Sequence, residues 1–200
     1  MKLYKFRALQ NETDYGRVID IIENGFYCND FLNFNDMNEG VYTVNEQNTH
    51  ITLSDKQQYE ICSFSGEKAL NSELMWGHYT NAGKGVVIEI DTDEQYNTDI
   101  KKIIYRKNKN LNTLEKILTH KTKEWKYEDE YRYLSRKRLG NHKVKIGKII
   151  KIYFGTPYEN LLNYEEIKER HKYLEEYLDF KQKLEIFCDK QSIQFENFKF

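Results

Sequence analysis

Asn81-Ala82-Gly83-Lys84-Gly85-Val86-Val87-Ile88-Glu89-Ile90 is the stretch on which the fold turns. The Asn/Gly cluster marks a turn, and the β-branched run that follows reads as a mostly buried strand. Upstream, Tyr59-Glu60-Ile61-Cys62-Ser63-Phe64-Ser65 is a second strand, and Leu70, Leu74, Met75 and Tyr79 then take the spacing of a short helix. Leu3, Tyr4 and Phe6, set between Lys2, Lys5 and Arg7, divide apolar content between both faces of an opening strand that belongs inside a sheet. Tyr15, Val18, Ile19 and Ile22 fall on one helical face, with Gly25 placed to end it.

Downstream, Ile100–Tyr105 is expected as a strand, Leu111, Leu114, Ile117 and Leu118 as a helix reaching toward Trp125, and Tyr131, Tyr133 and Leu134 as the opening of another strand. Lys143–Ile146 and Ile149–Phe154 continue the sheet, with a hairpin through Gly147 expected between them. Ile167, Leu174, Tyr177, Leu178, Leu184, Phe187 and Cys188 mark one face of a long helical segment over 163–190, and Ile193, Phe195 and Phe198 alternate in a closing strand over 192–198. The Asn-rich stretch from Gly25 to Thr52 reads as loop or short extended structure. Strand runs outnumber helices and connections are short. The expectation is one α+β domain over residues 1–200, with a central antiparallel or split mixed sheet, flanking helices and a long C-terminal amphipathic helix.

Composition narrows the function classes. The chain has 200 residues, 29 of them aromatic (16 Tyr, 11 Phe and 2 Trp), with a single Pro, which excludes a disordered scaffold. The formal net charge of −1 lacks the broad positive field of a duplex-binding module. Cys28, Cys62 and Cys188 form no C-x-x-C pair, and a reduced cytoplasmic setting fits them. The first residues build no apolar signal core, and no run approaches the ~18 apolar residues of a membrane span. His50, His78, His120, His142 and His171 never stand at ligand spacing, so no metal is expected.

Three clusters could carry chemistry. In Trp125-Lys126-Tyr127-Glu128-Asp129-Glu130-Tyr131-Arg132, an extended backbone would place Glu128, Glu130 and Arg132 on one face. A paired carboxylate of that kind can stabilise positive charge or accept a proton, although solvent-facing strand edges carry the same pattern. Ser63 and Ser65 flank Phe64 and converge on one face, able to position a ribose or carboxylate, while Ser65 also fits a helix N-cap. Met75-Trp76-Gly77-His78-Tyr79 offers stacking surface for a planar ligand, or else core packing for Met75 and Tyr79.

These segments, taken in order with Leu3-Tyr4-Lys5-Phe6-Arg7, Gly83-Lys84-Gly85 and Ile150-Lys151-Ile152-Tyr153-Phe154-Gly155, resemble over nearly the whole chain a bacterial family called domain of unknown function 2971. A second resemblance is to the arginine-serine-glutamate class of ADP-ribosyltransferases, on Arg7, Ser63-Phe64-Ser65 and Glu128-Asp129-Glu130. It differs from that class in having Phe64 where Thr is usual. The resemblance implies NAD as substrate, Arg7 on its phosphates or ribose, Ser63 orienting the glutamate and Glu130 stabilising the ribosyl cation. Glu128 would prepare the acceptor, which could be a protein or a nucleic acid, and Ser65, Trp76, His78 and Tyr79 would add to the nucleotide site. Such an enzyme would suit a bacterial toxin or phage-defence effector. The alternatives are a non-catalytic nucleotide- or protein-binding regulatory module, in which the acids brace Arg132 or Arg7, and an RNA-acting effector using Lys101-Lys102, Arg106–Lys109 and Arg136–Arg138.

Overall fold

A computed structural model describes residues 1–29, 58–106, 113–136, 142–158, 165–167 and 171–199. Strand β1 (Lys2–Ala8) leads into helix α1 (Glu12–Asn24) and the short β2 (Phe26–Tyr27). Strand β3 (Tyr59–Ser65), helices α2 (Glu67–Leu70) and α3 (Glu73–Tyr79) and strand β4 (Gly85–Thr92) follow. Then come β5 (Ile100–Lys102), β6 (Ile104–Tyr105), α4 (Leu114–Leu118), β7 (His120–Lys121), a 3₁₀ turn at Lys123–Glu128 and β8 (Glu130–Arg136). The chain closes with β9 (Lys143–Val144), β10 (Gly147–Phe154), α5 (Lys172–Gln191) and β11 (Gln194–Asn197).

Seven strands form one sheet in the order β11-β10-β4-β1-β3-β8-β5. Its pairings are antiparallel except for β10 with β11. With helices on both faces this is the expected α+β architecture, and β1 does lie inside the sheet. The two faces sort by the strand period of two. Leu3, Val86, Ile88, Ile90, Ile152 and Phe154 pack under Val18 and Ile21 of α1 and Leu174, Tyr177, Leu184 and Cys188 of α5. Tyr4, Phe6 and Val87 face the other way, against Ala69, Leu70, Met75, Trp76 and Phe198. Glu89 interrupts that second face and is answered there by Lys2, at 2.7 Å, and by the Tyr153 hydroxyl, which donates to it at 2.7 Å.

The central seam of the sheet is incomplete. β1 runs in register with β4 from Lys2↔Asp91 to Ala8↔Gly85, and β3 with β8 from Tyr59↔Arg136 to Ser65↔Glu130. Between β1 and β3 the ladder holds at Tyr4↔Ser65 alone. Beyond that pair the strands part, which realises the split form of the expected sheet. Asn29 takes up part of the exposed β3 edge, exchanging backbone hydrogen bonds of 2.8 and 2.9 Å with Ile61.

Several boundaries differ from expectation. The Ile100–Tyr105 run breaks at Ile103, whose N–H donates to Glu130 O at 2.9 Å, so that β5 and β6 join different sheets. Helix α4 stops at Leu118 well short of Trp125, its Leu111 lying outside the described residues. No hairpin forms through Gly147: β9 pairs with β2, while β10 pairs with β4 and β11. The last helix is described as a continuous element from Lys172, and its closing strand runs parallel to β10. Ser65 caps nothing. It ends β3 opposite Glu130, Gly66 occupies the cap position of α2, and the serine cap belongs to Ser72 on α3.

Gly155 marks the tightest approach of the fold. The Tyr177 hydroxyl donates to its carbonyl at 2.7 Å, and a Cβ there would sit 1.9 Å from the carbonyl oxygen of Gly83. The atoms met are Gly83 backbone and the buried Trp76 ring, at 3.1 Å, so nothing flexible is there to yield. Gly155→Ala is expected to cost about 3 kcal/mol or more of folding stability, read as a lowered urea midpoint with an unchanged slope. A midpoint equal to wild type would contradict the packing described.

Candidate active site

Strand β8 does not begin as an extended run through Glu128. Glu128 ends the 3₁₀ turn and Asp129 takes a left-handed conformation (φ 41°), so the chain reverses before the strand starts at Glu130. The two carboxylates nevertheless meet, because both reach Lys121 of β7. Its Nζ lies 2.7 Å from Glu128 Oε2 and 2.9 Å from Glu130 Oε2. Arg132, wholly buried, donates through Nε to Glu130 Oε1 at 2.8 Å, through Nη2 to Oε2 at 3.3 Å and through Nη1 to the Leu118 carbonyl at 2.7 Å. The Tyr79 hydroxyl donates to Glu128 Oε1.

The charges in this network are unequal. Burial pushes the Glu130 pKa up, but Arg132 and Lys121 outweigh it and hold the carboxyl down at about 2. Glu128 moves the other way, raised chiefly by burial against the pull of Lys121. Burial opposes the Lys121 charge, yet Glu130, together with Glu128 and against Arg132, leaves its pKa above the ordinary lysine value. One carboxylate is therefore fixed as an anion and its neighbour is the more readily protonated of the two.

A cavity of about 300 Å³ occupies the gap where β1 and β3 part. Arg7 and Lys5 of β1, Ser63 and Ser65 of β3, Tyr79 of α3, and Glu128 and Glu130 line it together with Lys121. Among the described residues Arg7 donates one hydrogen bond, to the carbonyl of its neighbour Phe6 at 3.5 Å, and burial lowers its pKa. The Lys5 ammonium donates to the Ser63 carbonyl and lies 5.4 Å from the centre of the Phe64 ring, with burial bringing its pKa down to about 8. Among the described residues neither cation has a carboxylate at ion-pair distance. Ser63 Oγ is buried in the same wall with no hydrogen-bond partner among the described residues.

The structure thus brings together Arg7, Ser63, Ser65, Tyr79, Glu128 and Glu130, and leaves Trp76 and His78 outside. Trp76 is buried between Phe6 and Phe198, and its indole N–H donates to the Leu70 carbonyl at 2.8 Å. His78 faces solvent, 3.2 Å from the Tyr127 hydroxyl. Lys5 and Lys121 are the charged lining residues that sequence reasoning missed. Lys5 was within reach, since it shares the strand face of Arg7 two positions away. Lys121 gave no local signal, because a two-residue strand outside the main sheet delivers it. Of the basic runs, Lys101 and Lys102 are paired with Glu115 and Asp129, both at 3.1 Å, while residues 107–109 and 137–138 lie outside the described part. No group of metal-ligating side chains occurs among the described residues, and no described helix is long and apolar enough to cross a membrane.

No family model, no curated protein and no solved structure matches the chain. The geometry of the cavity is therefore the ground on which a functional reading stands.

The network has a pH signature. Glu130 titrates near 2 when folded and near 4.3 in an unfolded chain, so its contribution to stability is complete above ~4.3 and is lost as pH falls through about 2. The loss is on the order of 3 kcal/mol. Urea midpoints measured from pH 5 down to 2 should fall more steeply for wild type than for Glu130→Gln. Parallel curves would show that Glu130 is not held by its two cations.

Proposed function

We propose that the chain is an ADP-ribosyltransferase-like enzyme that takes NAD as its substrate, as the resemblance to the arginine-serine-glutamate class implies. The observation that carries this reading is the meeting of Arg7, Ser63 and Glu130, from three strands, on one cavity in the split between β1 and β3. Arg7 and Lys5 supply uncompensated positive charge for a pyrophosphate, and Ser63 Oγ is an unfilled donor and acceptor for a ribose hydroxyl or for Glu130 itself.

In this reading the glycosidic C–N bond breaks with its electron pair going to the ring nitrogen, so nicotinamide leaves neutral. Glu130, ionised across the neutral range, faces the positive charge left on the sugar carbon. Glu128, whose pKa is raised, accepts the proton that the acceptor nucleophile loses as it bonds to that carbon. Tyr79 holds Glu128 by its hydroxyl, a positioning role in place of the stacking role expected from sequence. Trp76 belongs to the core beneath the site. Membership of domain of unknown function 2971, and a role as a toxin or phage-defence effector acting in the cytoplasm, accompany this proposal.

One observation favours a second reading. Both carboxylates are already paired, Glu130 twice over, which suits a non-catalytic module that binds a nucleotide through Lys5 and Arg7 alone. Turnover separates the two. Wild-type protein incubated with NAD is expected to release nicotinamide, followed by chromatography, and to modify itself or an added acceptor, followed by mass spectrometry. Glu130→Gln should lower turnover by about 100-fold or more while still binding NAD. Arg7→Ala, which breaks no ion pair among the described residues, should weaken NAD binding by about tenfold or more with the fold intact by circular dichroism. A wild type that binds NAD without consuming it would select the binding module, and one that neither binds nor consumes it would overturn both.

A further inference from the structure

Beside the cavity, two cysteines face each other across strands. Asn29 and Ile61 exchange both backbone hydrogen bonds in an antiparallel bridge, which makes them a hydrogen-bonded pair. The next pair outward, Cys28 opposite Cys62, is then a non-hydrogen-bonded pair, and the Cys28 N–H turns away to the His142 carbonyl at 2.6 Å. Such pairs hold their Cα atoms ~4.5 Å apart, within the range that a disulfide spans. Both cysteines are free, and each shifts the pKa of the other's thiol, Cys28 upward and Cys62 downward.

We propose that Cys28 and Cys62 are a redox modification site, oxidised reversibly to a disulfide by a hydroperoxide. Cys62 is the attacking sulfur. Burial works against its thiolate, but the neighbouring Cys28 thiol and the charges of Lys5 and Arg7 bring its pKa to about 7, while that of Cys28 rises. The Cys62 thiolate takes the distal oxygen of the peroxide as the O–O bond breaks, and the leaving oxygen takes up the proton that the Cys62 thiol gave up, giving a sulfenic acid and an alcohol or water. The Cys28 sulfur then displaces that oxygen as water, its own proton leaving with it. In sum, two thiols and one hydroperoxide give one disulfide, one alcohol or water, and one further water.

The pair lies next to the cavity in the chain: Cys28 and Cys62 are buried, and their sequence neighbours Tyr27, Asn29, Ile61 and Ser63 all line it. Cys188 has none of these features. It is a buried residue of α5, with its pKa pushed up to about 12 by burial and by Asp189 and Glu185. A disulfide at 28–62 would tie the Asn29 segment to β3 and fix that wall of the cavity. The proposal does not depend on what the cavity binds.

Hydrogen peroxide at slight molar excess, followed by alkylation and peptide mapping without reductant, is the test. The expected result is a peptide linked through Cys28 and Cys62, lighter by two hydrogens and restored by dithiothreitol, with Cys188 still alkylated once the chain is unfolded. Cys28→Ser should stop at a sulfenic acid on Cys62 that dimedone traps, and Cys188→Ser should form the disulfide as wild type does. Circular dichroism establishes that each variant folds. If the linked peptide is absent, or if Cys188 is oxidised as readily as Cys62, the proposal is overturned.

Discussion

Arg132 sits fully buried on β8, and a guanidinium cannot shed its proton to escape the interior. Everything around it is arranged to answer that charge. Glu130 supplies both oxygens, the Leu118 carbonyl at the end of α4 supplies a third acceptor, and Lys121 balances the carboxylate that Arg132 shares. Meeting these demands fixes where α4 stops, where β7 passes and how the 3₁₀ turn brings Glu128 back beside Glu130. Buried ion pairs add little net stability, because desolvation consumes most of the Coulombic gain. What they do impose is geometry, since any arrangement that leaves one member unpaired is heavily penalised.

A second constraint lies on the other side of the gap. The double bridge at Ile61 shows which way its backbone polar groups point, and by the period of two Ser63 and Ser65 turn theirs in the same direction, toward β1. Each is met differently. Asn29 answers Ile61, the Lys5 ammonium takes the Ser63 carbonyl, and Tyr4 stands opposite Ser65. The split is therefore a stable feature of the sheet, with side chain and loop substituting for the missing strand ladder. It gives β1 a free flank on which Lys5 and Arg7 can reach a ligand.

Much of this was legible in the sequence, and the exceptions share a cause. The strands at Leu3–Arg7, Tyr59–Ser65 and Val86–Ile90, the first helix ending at Gly25 and the amphipathic last helix all follow from local periodicity, which local sequence determines. The missed features need partners distant in the chain. A hairpin through Gly147 was reasonable locally, but β9 finds its partner in β2 and β10 finds its partners in β4 and β11. Ser65 looked like a helix cap because a helix follows; pairing with Tyr4 and Glu130 overrode that. For the site, alternation placed Ser63 with Ser65, while the convergence of Glu128 with Glu130 was right for a wrong local reason. It arises from a left-handed Asp129 and a shared lysine rather than from one extended face. Trp76 was misread because aromatic residues offer the same sequence signal whether they stack on a ligand or fill a core.

Net charge was the least informative property of all. A chain at −1 overall still concentrates Lys5, Arg7 and Lys121 around one gap, and the two carboxylates that face them are already committed, Glu130 to Arg132 and Lys121, Glu128 to Lys121 and Tyr79. Among the described residues the charge in the cavity that lacks a carboxylate partner is therefore positive and lies on β1. In a partly desolvated site each such charge acts on an anion far more strongly than it would in bulk water, so a small number of cations can outweigh a weak overall field. The same two cations, after the neighbouring Cys28 thiol, lower the Cys62 pKa against its burial, so the cavity charge and the Cys62 thiol are electrostatically linked through Lys5 and Arg7.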